Sequence, residues 1–328
     1  MKTLDDALKA LKIKIIDDDL KIKQFYDEQY GTLEGSRGDK TFYRFKSEVL
    51  QSLIAELHTN TDCGYKTYVN NVIKEGFIPK HISCMVKQVR YFNLYGTNQQ
   101  IKNENFSDEV YAYKETLASQ ILNYYGCPTV YNLLLKTKDF RGEDEYKVIS
   151  ADFMQEGQTF LTFAEYDCSL STLKESIKNI KEKILKKIKT IDESEKKKFI
   201  EDFVLSYLVR IYILMDFDFS NSNIGVLIDT DNRKLSPINF DFEQSFYEAD
   251  PSISEIVEIL EYVKTTYPKI YNKFVELTHT LNQALLTIST KRPTYDIESA
   301  KDYVYRNLKE NVCKVDKAIN EMNDLPNQ

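Results

Sequence analysis

The stretch LMDFDFSNSNIGVLIDTDNRKLSPINFDFEQSF, residues 214–246, is the most informative segment of this chain. It follows an apolar segment and places Asp218, Asn223 and Asp241 on loops separated by a short predicted strand and turn. An acid, an amide and a second acid make a set of hard oxygen ligands, which Mg²⁺ prefers together with substrate phosphates. The pattern predicts a phosphoryl-transfer site in which Asp218 orients or deprotonates the attacking hydroxyl, and Asn223 and Asp241 hold the metal.

The same three residues also fit a plainer interpretation. Asp and Asn are common in turns, because their short side chains hydrogen-bond to the nearby backbone, so a loop-rich stretch accumulates them without any catalytic role. The neighbouring residues favour the site, since Asp241 lies between Phe240 and Phe242. Such an apolar setting is unusual for a plain surface turn.

Composition limits the class of protein. The chain has 328 residues, of which 42% are hydrophobic, which is enough for a sizeable core and too many for wholesale disorder. Its 44 Lys and Arg residues stand against 51 Asp and Glu residues, so the net charge is −7. Because broad binding to a nucleic-acid backbone requires a basic surface, we expect no direct nucleic-acid partner.

The cysteines and the apolar segments indicate a location inside the cell. The five cysteines are odd in number and never form a C-x-x-C pair, so we expect neither a disulfide framework nor a zinc site. The N-terminus lacks the apolar region of a signal peptide. The longest apolar stretch, residues 203–215, contains Arg210 and is too short to span a bilayer, which predicts a buried helix. We therefore expect a cytoplasmic protein without a membrane span.

The order of the predicted elements indicates an α+β chain with two lobes. Residues 1–60 combine apolar and charged residues at helical spacing, which predicts a helical N-terminal extension. Residues 61–156 read as strand, helix, strand and strand, which predicts a small β-rich N-lobe. Residues 157–328 are mainly helical in pattern, apart from two short strands around 224–241, and predict a larger helical C-lobe.

Two residues of the β-rich lobe fit the phosphoryl-transfer scheme. Lys87 lies in the apolar strand segment CMVKQV, and Glu115 lies in the next predicted helix. A strand lysine held by a helix glutamate brings its ammonium group to nucleotide phosphates. Lysine in such a strand is more commonly an edge or surface residue. The strand ending at Met154, followed by Glu156, is a candidate hinge whose backbone would receive an adenine ring.

These segments resemble the HipA-like kinases, bacterial proteins with a protein-kinase-like fold that is distantly related to phosphatidylinositol kinases. The matching segments follow the family's order over about residues 80–250 and comprise CMVK (84–87), YKETLASQILNYYGCPT (113–129), VISADF (148–153), DFSNSNIGVL (218–227) and LSPINFDFEQSF (235–246). The resemblance implies that Lys87 binds the ATP phosphates and that Glu115 holds Lys87. It also implies that Asp218 is the catalytic base and that Asn223 and Asp241 bind Mg²⁺.

The family implies transfer of the γ-phosphate of ATP to a protein Ser or Thr. Several members are toxins that phosphorylate proteins of the translation machinery, and an antitoxin partner often restrains them. This chain departs from the family at residues 219–222, Phe-Ser-Asn-Ser, where relatives often have a cationic residue. The departure leaves open a catalytically weak pseudokinase that binds nucleotide and acts as an interaction module. Because a fold does not fix its chemistry, an AMP transferase and a lipid kinase are also alternatives.

Two further kinds of segment have more than one interpretation. GSRGDK (35–40) and TDCGYKT (61–67) are candidates for a glycine-rich phosphate loop, and each is also compatible with a simple flexible turn. The lysine-rich residues 174–198 have apolar positions at helical spacing, which predicts a helix with a solvated lysine face. The alternative for this run is a docking surface for an acidic protein or an RNA-bound substrate.

Overall fold

The structure, a computed structural model, describes residues 4–11, 13, 17–18, 26–33, 40–46, 81–88, 107–130, 132–138, 144–151, 158–247, 251–288 and 300–324. Within these residues the chain forms two β-sheets and seven α-helices. The mixture of helix and sheet confirms that part of the predicted fold class. The two-lobed arrangement and the boundaries near residues 60 and 156 remain predictions, because both boundaries lie outside the described residues.

The first sheet contains six strands. They are β1 (Asp17–Asp18), β2 (Tyr26–Leu33), β3 (Lys40–Lys46), β4 (His81–Gln88), β5 (Asn132–Lys138) and β6 (Asp144–Ala151). Their spatial order is β1-β5-β6-β4-β3-β2, with β1 parallel to β5 and every other neighbouring pair antiparallel. Strand β4 is therefore an interior strand, and its residue Lys87 lies opposite Lys40 of β3 and Val148 of β6.

The predicted helical extension over residues 1–60 is wrong for two segments. Helix α1 (Leu4–Ala10) is present, but β2 and β3 are strands. The β3 sequence KTFYRFK is rich in aromatic residues that favour strands, and all seven of its residues pair with β4. In β2, Gly31 disfavours a helix. Strand pairing thus overrides the apolar spacing that suggested helices, and residues 47–60 lie outside the described part of the chain.

Helix α2 (Ser107–Tyr125) follows the predicted strand–helix order and is almost entirely buried from Ala112 onward. It ends at Gly126, whose φ of 77° lies in the left-handed region that glycine adopts at helix ends. The N–H of Gly126 bonds to the carbonyl of Asn123, and the N–H of Cys127 bonds to that of Leu122, which satisfies two terminal carbonyls. The helix packs on β5 and β6.

The second sheet has three antiparallel strands, β7 (Gln158–Thr162), β8 (Ile224–Asp229) and β9 (Lys234–Asn239), with β8 in the middle. Strand β8 begins directly after Asn223, and β9 ends two residues before Asp241, so this sheet positions both loops. A Cβ added at Gly225 would lie 2.2 Å from the ring of Phe160 and 2.9 Å from the carbonyl of Leu161. The close approach of β7 therefore requires glycine at this position.

The remaining described elements are helical. Helix α3 (Leu173–Asn179) continues into a π-helical segment, Ile180–Leu185, and α4 (Glu193–Leu208) continues into a second one, Val209–Ile213. Helices α5 (Ile253–Thr266), α6 (Pro268–Leu286) and α7 (Ala300–Asp324) follow and pack against one another. Helix α7 also packs against α2 and against the second π-helical segment, so it lies behind the stretch that carries Asp218.

Two predictions about the helical part are confirmed. The apolar stretch 203–215 is a buried helical segment, with Ile211 alone among its apolar residues only partly buried. In the lysine-rich run the apolar positions are buried, while most of the lysines are exposed; these positions are Ile177, Ile180, Ile184, Leu185 and Ile188. Among the helices that the structure describes, none has the length and apolar character needed to cross a membrane.

Candidate active site

Asp218 and Asn223 lie together on the loop between the second π-helical segment and β8. The buried Asn223 donates from Nδ2 to the backbone carbonyl of Asp218 at 2.8 Å and to its Oδ2 at 3.0 Å. These bonds orient the exposed Asp218 carboxylate, and they leave Oδ1 as the Asn223 atom that is able to bind a cation. The structure therefore brings together the predicted base and one predicted metal ligand.

Arg210 links this loop to the one that carries Asp241. Its side chain is fully buried and donates from Nε to Oδ2 of Asp216 at 2.7 Å, with Nη2 also in contact with that oxygen. Its Nη1 donates to the backbone carbonyls of Asn223 at 2.8 Å and Phe240 at 3.3 Å, and Nη2 donates to that of Asp241 at 3.3 Å. One buried guanidinium thus fixes the backbone at both predicted metal ligands.

Aromatic rings enclose the Arg210 guanidinium. The ring centroids of Phe219 and Phe242 lie 4.6 and 4.8 Å from its central carbon, within the range of a cation–π interaction. Phe219 also contacts the rings of Phe203 and Tyr207, with centroid separations of 6.5 and 5.9 Å. Phe219, in the loop that follows Asp218, therefore packs onto the buried arginine.

Asp216 connects Arg210 to the backbone of the loop. Its Oδ1 accepts a hydrogen bond from the N–H of Asp218 at 3.2 Å. Burial raises the pKa of Asp216, and the ion pair with Arg210 opposes that shift. The buried pair consequently acts as a positioning unit directly beneath Asp218.

Three non-glycine residues in this region have left-handed backbone conformations. Their φ angles are 47° at Met215, 60° at Asp241 and 61° at Phe246. Such conformations are uncommon for residues with a Cβ and occur often where a site imposes the backbone path. The N–H of Phe246 bonds to the carbonyl of Leu214, and the N–H of Phe217 bonds to that of Gln244, so the two loops are tied to each other.

Three carboxylates form a group that suits a divalent cation. Oxygen atoms of Glu115, Asp241 and Glu243 all lie within 4.8 Å of one another, and Glu115 is buried. Carboxylate oxygens are the donors that Mg²⁺ and Mn²⁺ take, so the group fits the predicted metal. Asp241, which we predicted as a metal ligand, belongs to this group, and Glu115, which we predicted as the partner of Lys87, lies beside it. Glu243 is an addition that the structure alone reveals.

Lys114, the neighbour of Glu115 on α2, is buried among tyrosine rings. Its Nζ lies 4.1 Å from the ring centroid of Tyr247, 5.3 Å from that of Tyr303 and 5.4 Å from that of Tyr111. Burial lowers the pKa of Lys114 to about 7, although the charge of Asp216 acts in the opposite direction. Since Tyr247 also contacts the ring of Phe217, at 5.2 Å between centroids, this cluster joins α2 and α7 to the loop of Asp218.

The remaining predicted residues are described less fully. The backbone of Lys87 lies in the interior of the six-stranded sheet, while its side chain is outside the described atoms. Met154 and Glu156, the predicted hinge, fall between β6 and β7 and outside the described residues. Of the glycine-rich candidates, 61–67 is not described, and 35–40 is described only at Lys40, where β3 begins.

Arg210, Lys114 and Glu243 are site residues that we did not predict from the sequence. The sequence could have indicated a role for Arg210, because a lone arginine inside an apolar segment requires a buried counter-charge, and an Asp-rich loop follows directly. The indication for Glu243 was weaker, since the residue only lies two positions after Asp241 in the same acidic loop. Lys114 gave none, because two of its three tyrosine partners, Tyr247 and Tyr303, are distant in the sequence and meet it only in the fold.

Comparison with known proteins gives similarity in structure only. No protein-family model and no curated protein matches the chain. Among solved structures, a proinflammatory kinase of Helicobacter pylori, CtkA, is similar with a TM-score of 0.52 at 14% sequence identity. The match covers 92% of this chain and 97% of that one. This similarity shows that the chain has a kinase-like fold.

Two further solved structures are similar at lower TM-scores. HipA of Shewanella oneidensis MR-1, in a complex with HipB and operator DNA, has a TM-score of 0.41 at 9% identity, over 76% of this chain and 64% of that one. A Golgi casein kinase with Mn and ADP bound has a TM-score of 0.39 at 11% identity, over 90% of this chain and 74% of that one.

Proposed function

We propose that this protein is an ATP- and Mg²⁺-dependent protein serine/threonine kinase of the HipA-like type. The observation that carries the proposal is the hydrogen-bonded pair of Asp218 and Asn223, which the buried Arg210 ties to the backbone of Asp241. An acid, an amide and an acid held in this way are the parts that phosphoryl transfer requires. The kinase-like fold supports the same reaction class.

Each predicted residue has a role in this proposal. Asp218 orients and deprotonates the acceptor hydroxyl, while Asn223 and Asp241 hold the metal, with Glu115 and Glu243 beside Asp241. A metal bound by these residues would supply positive charge to offset the negative charge that develops during phosphoryl transfer. This use of Glu115 as a metal carboxylate extends its predicted role as the partner of Lys87.

The nucleotide would be bound by residues on both sides of this group. Lys87 contacts the ATP phosphates from β4, and the backbone at Met154 and Glu156 receives the adenine ring. The strands β2 and β3 pair as neighbours on either side of residues 34–39, and β3 pairs directly with β4. This topology favours GSRGDK over TDCGYKT as the phosphate loop, because strand pairing brings its end at Lys40 opposite Lys87.

The acceptor and the partners in the proposal come from the sequence resemblance. The acceptor is a Ser or Thr of a protein, and in a toxin kinase that protein would belong to the translation machinery. An antitoxin partner and a cytoplasmic location belong to the same proposal. No direct nucleic-acid contact is included, because the chain has a net charge of −7.

The test is transfer of label from γ-labelled ATP, with Mg²⁺, to the protein itself or to proteins of a bacterial lysate. Asp218→Asn and Asp241→Ala should each reduce labelling by about 10²-fold or more, because positioning and charge stabilisation supply most of this catalysis. Asp231→Asn, in the exposed turn between β8 and β9, is the matched control and should label normally. Equal labelling by wild type and both site variants would overturn the proposal.

A nucleotide-binding pseudokinase is the second candidate. It is favoured by residues 219–222, which contain no cation and in which Phe219 packs on Arg210 instead of facing a substrate. This candidate predicts that ATP with Mg²⁺ raises the melting temperature while no label is transferred. Parallel reactions with α-labelled ATP distinguish an AMP transferase, and labelling of added phospholipid vesicles distinguishes a lipid kinase.

A further inference from the structure

A cleft of about 370 Å³ lies between the first π-helical segment and the start of α4. Four lysines line it, namely Lys181, Lys186, Lys196 and Lys197. Leu185 and Ile200, both buried, form its apolar part, and Glu193 is its one acidic lining residue. The two lysine pairs come from different helical elements, so the fold creates this concentration of positive charge. We call this site the lysine cleft.

Most of the charge in the lysine cleft is available to a ligand. Lys196 pairs with Glu193 at 2.8 Å, and its side chain is only 16% exposed. Lys197 approaches Glu201 at 3.9 Å, but its side chain is 77% exposed, so that contact is weak. Lys181 and Lys186 are exposed and form no ion pair within the part of the chain that the structure describes. A local excess of positive charge therefore exists on a protein whose net charge is −7.

The lining indicates the chemistry of the ligand. Leu185 and Ile200 offer an apolar floor, which suits an aliphatic side chain. The lining contains no aromatic residue on which nucleic-acid bases would stack and no arginine, whose planar guanidinium recognises phosphate bidentately. Separate lysine charges around an apolar floor instead match carboxylates spread along a peptide. We propose that the lysine cleft binds an acidic segment of a protein partner, with an apolar side chain of that segment seated on Leu185 and Ile200.

The position of the cleft separates docking from chemistry. Helix α4 has 16 residues and runs from the cleft to the second π-helical segment and Asp218. At a rise of about 1.5 Å per residue, the cleft residues of α4, from Glu193 to Ile200, lie roughly 14 to 24 Å along the helix from the start of that segment. Asp218 is not among the residues that line the cleft, so a peptide held there does not need to contact it. Peptide binding at this site does not depend on the proposed kinase activity, so the two proposals fail separately.

The experiment measures fluorescence anisotropy of a labelled peptide, four glutamates on each side of a central leucine, on the full chain without ATP. We expect binding that weakens as salt is added, because exposed charges are screened. The double variant Lys181→Glu with Lys186→Glu should weaken binding by about tenfold or more. The matched control, Lys183→Glu with Lys189→Glu, makes the same change in net charge on the same run outside the cleft and should bind nearly as wild type.

Three further outcomes decide the proposal. Replacing the central leucine of the peptide by serine should weaken binding, because the apolar floor then loses its partner. Equal weakening by the two double variants would overturn the proposal, since net charge alone would then explain binding. Competition by an oligouridylate of equal charge, as effective as the unlabelled peptide, would also overturn it. Melting curves of both double variants verify that they are folded, and the Asp218→Asn protein should bind the peptide as the wild type does.

Discussion

Arg210 is the residue on which the candidate site depends most. Its five donor groups are shared between the Asp216 carboxylate and the backbone of the two loops that carry Asn223 and Asp241. Lysine cannot replace it, because a single ammonium group does not span acceptors in this forked arrangement. A buried ion pair of this kind contributes little net stability, but removing one partner leaves an uncompensated charge in the core.

We predict that Arg210→Ala lowers the free energy of unfolding by about 3–5 kcal/mol, because Asp216 would remain buried and unpaired. The double variant Arg210→Met with Asp216→Leu should recover only part of that loss, since it removes both buried charges but leaves the carbonyls of the two loops without the Arg210 donor. Urea unfolding of the wild type, Arg210→Ala, the single variants Arg210→Met and Asp216→Leu, and the double variant measures these energies. A double variant as unstable as the sum of the single ones would contradict the expected coupling.

Lys114 predicts a particular dependence of stability on pH. Burial lowers its pKa from 10.5 to about 7, so between these values the unfolded chain holds a proton that the folded chain has released. The free energy of unfolding should therefore rise with pH across this window, by up to about 1.4 kcal/mol per pH unit. This gain in stability should disappear as the pH falls toward 7.

The measurement compares wild type with Lys114→Met in metal-free buffer from pH 7 to 9.5. The wild type should gain stability relative to the variant as pH rises, because contributions from other groups cancel in the difference. Lys189→Met, at an exposed position, should show a constant difference from wild type. A constant difference for Lys114→Met as well would mean that this lysine keeps its proton in the folded protein.

At the scale of single residues, the sequence indicates candidate ligands but not the residues that hold their loops in place. Asp218, Asn223 and Asp241 are recognisable because their types and spacing on adjacent loops reflect a local requirement for oxygen ligands. Arg210 and Lys114 act through contacts with distant residues, such as the carbonyl of Phe240 or the ring of Tyr303. Spacing along the chain contains no information about such contacts.

Helix α7 is the element that supports the site from behind. Two buried asparagines one turn apart donate from Nδ2 to backbone carbonyls, Asn307 to that of Phe246 at 2.7 Å and Asn311 to that of Ile213 at 3.2 Å. Ile213 lies just before the stretch that carries the candidate residues, and Phe246 lies at its end. The helix therefore holds both ends of this stretch, and we regard the two asparagines as positioning residues.

Each of the variants Asn307→Ala and Asn311→Ala should cost about 1–3 kcal/mol of stability, because a buried carbonyl loses its donor. If they position the loops, the rate of labelling at saturating ATP should fall more than the KM for ATP rises. Asn320→Ala, at an exposed position of the same helix, is the control and should change neither quantity. Loss of stability with an unchanged labelling rate would limit the asparagines to a structural role.

The hairpin of β2 and β3 shows where pattern analysis of elements fails. The mixed apolar and charged spacing of residues 1–60 predicted a helical extension, yet β2 and β3 both join a six-stranded sheet. Strand preference depends on neighbours, and the neighbour of β3 is β4, which lies more than thirty residues further along the chain. By contrast, α2 and β8 were predicted correctly, because their apolar patterns are local and α2 also ends at a glycine, Gly126.

At the scale of the whole molecule, the second sheet is linked to the segment after α2. The N–H of Val130 bonds to the carbonyl of Asn239, and Nδ2 of Asn239 donates to the carbonyl of Pro128 at 2.8 Å and to Ser206 at 2.9 Å. These bonds connect β9, which leads to Asp241, with the segment between α2 and β5. The mixed class and the order of most elements could be predicted from local pattern, whereas this linkage arises only from tertiary contacts.

Binding of nucleotide with metal should stabilise the whole molecule. ATP with Mg²⁺ at about 100 times the dissociation constant adds roughly 2.7 kcal/mol, which is detectable as a rise in melting temperature. Removal of the metal with EDTA should abolish most of the increase in melting temperature. Glu243→Gln should make the increase smaller, because it changes one of the three carboxylates of the group. Glu261→Gln, on the exposed face of α5, serves as the control. An increase in melting temperature that EDTA does not change would show that nucleotide binds without a metal at the carboxylate group.

Whether Asp218, Asn223 and Asp241 form a metal–nucleotide site is tested most directly by anomalous scattering. Crystals of the full chain grown with Mn²⁺ and a non-hydrolysable ATP analogue would show an anomalous peak at each metal. We predict a peak about 2.1 Å from carboxylate oxygens of Asp241, with Asn223 Oδ1 in the same shell and the terminal phosphate directed toward Asp218. A bound analogue whose metal lies away from Asp241 and Glu243 would contradict the account.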